Sequence, residues 1–395
     1  MKYNFDTTVE RIETSCVKYD LRETIFGKSD VIPMWVADMD FETPDFIREA
    51  VIERALHPIY GYTFRDSSYY NHIVNWLDNN HQWKIEKESV VFCPGVVPAL
   101  NFAVLAFTEP KDKIIVQPPV YFPFFGAVKS HDRELVYNQL LKTDNGYIID
   151  YELLNEQAKD AVMLILCNPH NPVGRAWKID ELEKIAEICL KNNVMVLSDE
   201  IHDDLVLPGF KHEVFANISP EVASITITTH APSKTFNLAG LATSSVIITN
   251  PDLRKIFKDY VENLHIGMGN IFGMVASNAA YEKGNEWRLQ LVDYINDNVD
   301  YVDRFITEQL PLVRVFRPEA TYMVWLDFSK YGLSDADLKK RMIFEAGLGL
   351  NAGTDFGPGG EGCLRMNVAC QRKTLEIAMH QFREVFSNNP NVSSL

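Results

Sequence analysis

No two cysteines in this chain stand at the C-x-x-C spacing. The six, Cys16, Cys93, Cys167, Cys189, Cys363 and Cys370, are scattered. Zinc-ribbon and dithiol redox signatures are therefore missing, and a chain of this size does not need a disulfide framework. The thiols read mostly as small buried hydrophobes. Long apolar runs are also missing: the segment from Ala161 to Cys167 is far too short to cross a bilayer. Met1 to Asp20 contains no apolar stretch of the kind a signal peptide carries. Positive charge is scarce, with 38 Lys and Arg against 54 Asp and Glu and a net charge of −16. Such a chain lacks the electrostatic footprint of a nucleic-acid or anionic-membrane binder, although a few local donors can still hold a small anion. Repeats and low-complexity linkers are absent. The expectation is a soluble cytoplasmic protein. Its 395 residues allow two or three domains by the usual size, and a large core without staples.

What is present is an alternation. Short, mostly β-branched runs at Ser89–Phe92, Lys113–Gln117, Glu134–Asn138, Ala161–Leu166, Val194–Ser198, Ser224–Thr228 and Ala242–Ile248 are apolar on both faces. They predict a largely parallel sheet covered on both sides. Helical periodicity lies between several of them, clearest over Ile179–Lys191, where Leu182, Ile185, Ala186 and Cys189 share a face. The pattern implies an α/β layer sandwich. After Pro251 the texture changes to helices over Asp252–Leu264 and Phe272–Leu310. Strands follow near Leu312–Phe316 and Thr321–Leu326, then helices over Ser334–Ala346 and Arg372–Phe386. This reads as a smaller α+β domain joined by a long helix. The stretch before Pro44 lies outside the alternation and is expected to pack with the C-terminal part.

Ligands of open parallel sheets bind beyond the carboxyl ends of the strands. Five strand ends here deliver, in turn, Pro94-Gly95-Val96-Val97, Pro118-Pro119-Val120-Tyr121, Asn168 to Gly174 (NPHNPVG), Asp199-Glu200-Ile201-His202 and Ala231-Pro232-Ser233-Lys234. Taken singly, each has an ordinary explanation. Gly95 satisfies a tight turn, Asn171-Pro172 initiates one, Tyr121 packs in a core and a lone lysine is solvated. Asp199 at a strand end is harder to explain away, because a half-buried carboxylate needs a donor partner. A desolvated Lys234 has a lowered pKa and acts as an amine nucleophile. Asp, Lys, an aromatic and a phosphate-binding helix start together are what pyridoxal phosphate requires.

The segment Ala231 to Asn237 (APSKTFN) resembles the cofactor-lysine motif of fold-type I pyridoxal-phosphate enzymes. It is most similar to the cystathionine β-lyase-like branch, the C–S lyases grouped with class I/II aminotransferases. NPHNPVG, Ser198 to His202 (SDEIH), Pro94 to Leu100 (PGVVPAL), Pro33 to Phe41 (PMWVADMDF) and Gly61-Tyr62-Thr63 extend the likeness from Pro33 to Ala369. The resemblance implies an aminotransferase-type three-layer fold. A large cofactor-binding domain would span 46–285, and a small domain would be assembled from 1–45 and 286–395. It implies Lys234 as Schiff-base lysine and general acid/base, and Asp199 on the pyridinium nitrogen. Asn171 falls on the ring hydroxyl oxygen and Tyr121 on the ring face. Gly95, Val96 and Val97 give backbone N–H groups to the phosphate, with Ser233 nearby. Tyr62 reaches the phosphate of the neighbouring subunit, which implies a homodimer. Arg365 clamps the substrate α-carboxylate, and Ala37 lines the substrate pocket through its backbone. Two departures stand out. His202 occupies the place where many relatives carry a tyrosine touching the ring oxygen, and Ala231 the place where many carry a phosphate-binding serine.

The implied reaction removes the Cα proton of an L-amino acid. With a thiolate on Cβ, elimination gives an aminoacrylate, then pyruvate and ammonia. With return of the proton to the cofactor, the outcome is transamination. The same residues serve both, and the resemblance favours elimination. A reading of another class is a regulatory or partner-binding protein that has kept the fold. Gly357 to Gly362 (GPGGEG) matches G-x-G-x-x-G but lacks the strand and helix that a dinucleotide fingerprint demands. Asp199, Glu200, His202, Asp203 and Asp204 would suit a divalent hydrolase, yet no second His-rich cluster is evident to complete a ligand set. Asn217-Ile218-Ser219 and Asn391-Val392-Ser393 match the glycosylation pattern, which has no meaning without a secretory leader.

Overall fold

The computed structural model describes residues 3–387. The Asn391 glycosylation pattern lies outside them. The main sheet has seven strands: β1 (Val90–Cys93), β2 (Lys113–Val116), β3 (Glu134–Tyr137), β4 (Ala161–Cys167), β5 (Met195–Asp199), β6 (Thr226–His230) and β7 (Ser244–Ile247). Their spatial order is β1-β7-β6-β5-β4-β2-β3, with β7 antiparallel to both neighbours and the other pairs parallel. Residue alternation along β4 explains the double burial. Met163 and Ile165 pack with Val96, Leu100 and Val104 on one face. Leu164 and Leu166 pack with Leu182, Ile185 and Cys189 on the other.

The helices that matter for the site are α1 (Val96–Phe107), α2 (Pro232–Thr235), α3 (Ile271–Lys283) and α4 (Asn285–Gln309). The helix-rich stretch over Phe272–Leu310 is two helices. Gly284 separates them, and a Cβ there would lie 2.4 Å from the Phe236 ring, so close packing behind α2 sets the junction. The expected strand Ser224–Thr228 is displaced to Thr226–His230. Ser219 caps a short helix at Pro220–Ser224, accepting from the Val222 N–H at 3.3 Å, and that helix takes the first residues of the run.

Beyond α4 an antiparallel sheet forms from β8 (Arg314–Phe316), β9 (Met323–Asp327), β10 (Asn351–Ala352) and β11 (Cys363–Asn367), in the order β8-β9-β11-β10. The N-terminal segment packs here as expected. Ile32 pairs with Leu348, the Met34 N–H donates to the Gly349 carbonyl at 2.8 Å, and the Asp40 N–H to the Ala369 carbonyl at 2.9 Å. The glycine-rich Gly357–Gly362 segment is a turn leading into β11. A Cβ on Gly360 would sit 2.0 Å from the Gly353 oxygen, so close backbone approach explains that glycine. Among the described residues no helix is long and apolar enough to cross a membrane.

Candidate active site

Strand register builds the site. Cys167 of β4 lies opposite Asp199 of β5, and Asp199 opposite Thr229 of β6. Across the antiparallel strand, Ser245 pairs with His230, and Ser244 with Cys93. The chain therefore leaves β1, β4, β5 and β6 at one level, and the segments that follow them line one cavity of about 230 Å³. Ala37, Gly95, Val96, Val97, Tyr121, Asn171, Asp199, His202, Ser233 and Lys234 all border it.

Asp199 is buried, and its Oδ1 accepts from Thr229 Oγ1 at 3.0 Å and from the Ile201 N–H at 3.3 Å. Burial pushes its carboxyl up to about 6, against the pull of those two donors. Lys234 sits in the single turn of α2, which Pro232 starts. Its Nζ donates to the Ala37 carbonyl at 2.7 Å. Burial lowers the amine to about 8, and the Arg365 charge adds to the drop, while Asp38 and Asp199 oppose it. Asn237, in the left-handed region at φ 60°, ties the lysine turn to the same N-terminal segment. Its side chain bonds the Met39 N–H and the Met39 and Phe41 carbonyls.

Arg365 reaches in from β11. Its Nη1 donates to Asn171 Oδ1 at 3.0 Å, and Nη2 to the Trp35 carbonyl and Asn351 Oδ1, each at 2.7 Å. These partners are all neutral, and burial lowers the guanidinium to about 10. The Phe356 ring stacks 4.7 Å away. Burial pushes the Tyr121 phenol up to about 12. His202 is buried, and burial together with Lys234 and Arg365 holds its pKa far below the ordinary value, so the ring is neutral.

Gly95, at φ 125°, opens α1, but its N–H already donates to Ser244 Oγ at 3.2 Å. Among the three expected phosphate donors, this one is engaged within the protein. Val96 and Val97 begin the helix, where N–H groups have no intrahelical acceptor. Tyr62 lies outside the cavity, 96 % exposed, in a separate hollow with Tyr60, Met268 and Met274. Tyr322 is a residue the sequence reading passes over. Its hydroxyl donates to the Ala37 carbonyl at 3.0 Å, across 285 positions of chain, and no local motif announces it.

The acidic run after Asp199 turns away from the cavity. Glu200 accepts from Ser198 Oγ at 2.7 Å and pairs with His212 at 2.9 Å. Asp203 pairs with His230 at 2.7 Å, and Asp204 accepts from Trp76 Nε1, His81 Nε2 and Thr235 Oγ1. The fold thus supplies the histidine cluster that the sequence does not show, from three distant segments. His81, Asp203 and Asp204 bring ligand-type atoms within 4.8 Å of one another. Mutual hydrogen bonds occupy those atoms, and the cluster is read as a packed ionic network.

A half-buried lysine and a strand-end carboxylate at the carboxyl edge of an α/β sheet, with an arginine that bonds neutral oxygens beside them, define an enzyme site for a substrate or cofactor with a carbonyl and an anionic group. The chain belongs to the class I and II aminotransferase family, which matches residues 29–382. It is 45 % identical over 386 residues to cystathionine beta-lyase PatB of Bacillus subtilis, covering 97 % of this chain and 100 % of that one. Cystalysin from Treponema denticola, whose crystal structure contains pyridoxal 5'-phosphate, superposes with a TM-score of 0.94 at 35 % identity, over 98 % of this chain and 99 % of that one. The pyridoxal-phosphate-bound C–S lyase of Staphylococcus hominis gives 0.92 at 33 % identity, over the same shares. The residues present suit that cofactor. His202 Nδ1 and Arg365 Nε are buried polar atoms without a partner, Val96 and Val97 lie at a helix start, and Lys234 and Asp199 border one space.

Proposed function

We propose that this protein is a pyridoxal-phosphate-dependent C–S β-lyase. Its substrate is cystathionine or a related S-substituted L-cysteine, and its products are pyruvate, ammonia and a thiol. One observation carries the reaction class: Lys234, an amine lowered to about 8, shares a cavity with Asp199, and Arg365, bonded to Asn171 of the cavity wall, has hydrogen bonds only to neutral partners among the described residues. The choice of a sulfur leaving group is supported by the full-length likeness to PatB and to the C–S lyases.

Lys234 would hold the cofactor covalently and Asp199 its ring nitrogen. Asn171 would take the ring hydroxyl oxygen, Tyr121 would cover the ring, and Val96, Val97 and Ser233 would hold the phosphate. When bound, the cofactor supplies an electron sink for the pair left at Cα. Arg365 presents two Nη atoms to the substrate carboxylate, a charged acceptor that outcompetes the neutral oxygens they now bond. Near neutral pH a usable share of Lys234 is free amine, and its Nζ takes the Cα proton. The thiolate then leaves Cβ, and hydrolysis yields ammonia and pyruvate. His202, uncharged, adds a ring nitrogen to the pocket without competing for either anion.

The same reading makes the protein a homodimer in which Tyr62 of the partner subunit completes the phosphate site. Exposed Ile59, Tyr60, Tyr62, Phe64 and Met268 support it, because an apolar patch of that extent marks an interaction surface. The large unit spans 46–285, and the small unit combines 1–45 with 286–395. The six free thiols are in keeping with a cytoplasmic setting.

The test is to incubate the holoenzyme with cystathionine and no keto acid. Pyruvate and free thiol should accumulate in equal amounts over many turnovers. Product that appears only after an α-keto acid is added makes the protein an aminotransferase. No product under either condition makes it a binding protein on this fold.

A further inference from the structure

The backbone of residues 35–38 is held carbonyl by carbonyl. The Trp35 oxygen accepts from Arg365, and the Val36 and Asp38 oxygens both accept from Asn367 Nδ2 at 2.7 Å. The Ala37 oxygen lies between them and takes two donors of a different kind, Lys234 Nζ at 2.7 Å and Tyr322 Oη at 3.0 Å. Tyr322 is fully buried, and burial raises its phenol far above the ordinary value, so the hydroxyl always donates. Its placement costs strain. Thr321 before it sits at φ 72°, which a β-branched residue rarely adopts, held by its N–H on the Leu205 carbonyl at 2.8 Å and its Oγ1 on the Met323 N–H at 3.1 Å. Backbone strain next to a side chain that meets the reacting lysine's acceptor points to a role in the chemistry.

We propose that Tyr322 is a positioning residue that fixes the Ala37 carbonyl as the acceptor for the Lys234 ammonium. The inference rests on the lyase reading for the source of the proton. The proton leaves the substrate Cα, its electron pair stays behind, and Lys234 Nζ changes from amine to ammonium. An ammonium formed in a buried cavity needs a fixed acceptor at once. The Ala37 oxygen, pinned by Tyr322, provides it at hydrogen-bond distance. The other charged or titratable groups facing Nζ are Asp38, Asp199, His202 and Arg365, each from a different segment from Tyr322.

The test is Tyr322→Phe, with Tyr331→Phe as control. Tyr331 is another buried tyrosine whose hydroxyl donates to a backbone carbonyl, that of Phe386 at 2.8 Å, outside the cavity. In Tyr322→Phe the kcat for pyruvate release should fall about tenfold with KM within about twofold, because the Ala37 carbonyl that accepts from Lys234 is no longer held by the phenol. The isotope effect with α-deuterated substrate should rise, because proton transfer becomes the slower step. In cofactor-free protein, the pH midpoint for recombination with pyridoxal phosphate should move down by about 0.5 unit, since the carbonyl that accepts from the ammonium is no longer pinned. Tyr331→Phe should change none of these. An unchanged isotope effect and recombination midpoint in Tyr322→Phe, or equal changes in Tyr331→Phe, overturns the proposal. If the parent enzyme releases no pyruvate the lyase reading falls, and the recombination midpoint still decides the role of Tyr322.

Discussion

Lys234, half-buried, and Arg365, buried, are two cations whose hydrogen bonds among the described residues all go to neutral oxygens. The arrangement favours anionic ligands at the expense of the empty protein. Lys234→Met should therefore raise the melting temperature of the cofactor-free protein by a few degrees while abolishing lyase activity, as calorimetry and a pyruvate assay would show. Arg365→Lys keeps the charge but loses the fork, so kcat/KM for an S-substituted cysteine should fall between about tenfold and a hundredfold, mainly in KM. Asp199→Asn cannot balance a protonated ring nitrogen, and kcat should fall at least about a hundredfold. At this scale the sequence was informative wherever a strand end carried a short motif. Lys234, Asp199, Asn171 and Tyr121 were legible that way, Arg365 only through the family resemblance, and all meet in or beside one cavity. Tyr322, Thr229 and Asn351 were not, because their partners come from remote segments and their own neighbours carry no signal.

Elements place these groups through register and through what lies behind them. The single turn of α2 rests on the buried ionic network, with Thr235 Oγ1 donating to Asp204 Oδ2 at 2.9 Å. Asp204→Asn leaves Trp76, His81 and Thr235 short of an acceptor and should cost about 3 kcal/mol, read as a lower urea midpoint. The same network makes stability depend on pH. Burial opposes charge on His212 and His230, but Glu200 outweighs it at the first ring and Asp203 at the second, so both pKa values are raised. A raised histidine contributes fully below its unfolded value and loses that contribution as pH climbs through the folded one. The urea midpoint should thus fall from pH 6 to pH 8, and His212→Gln should flatten the slope. Strands with continuous β-branched character were visible in the sequence to within two residues. The helices Asp45–Leu56 and Ser67–His81 were not, since α/β alternation starts only after them. The break at Gly284 depends on the Phe236 ring, a tertiary contact that periodicity does not encode.

The whole molecule is acidic, at −16, yet Lys234 and a helix start border its cavity and Arg365 reaches Asn171 in the wall, the groups proposed to take two anions. Local donors, not the overall field, determine what binds. The patch around Tyr62 and Phe64, 96 % and 80 % exposed, is the surface we propose a second copy covers. Phe64→Asp should shift the sedimentation coefficient from dimer to monomer and cut activity, whereas an unchanged dimer would remove this patch from the interface. The account as a whole turns on one atom, Lys234 Nζ. Borohydride reduction of the yellow holoenzyme, followed by peptide mass mapping, tests it most directly. The account predicts loss of colour and a stable pyridoxyl-phosphate adduct on the peptide that contains Lys234, absent from Lys234→Ala. An adduct on another lysine, or a Lys234→Ala protein that still turns yellow and releases pyruvate, would contradict it.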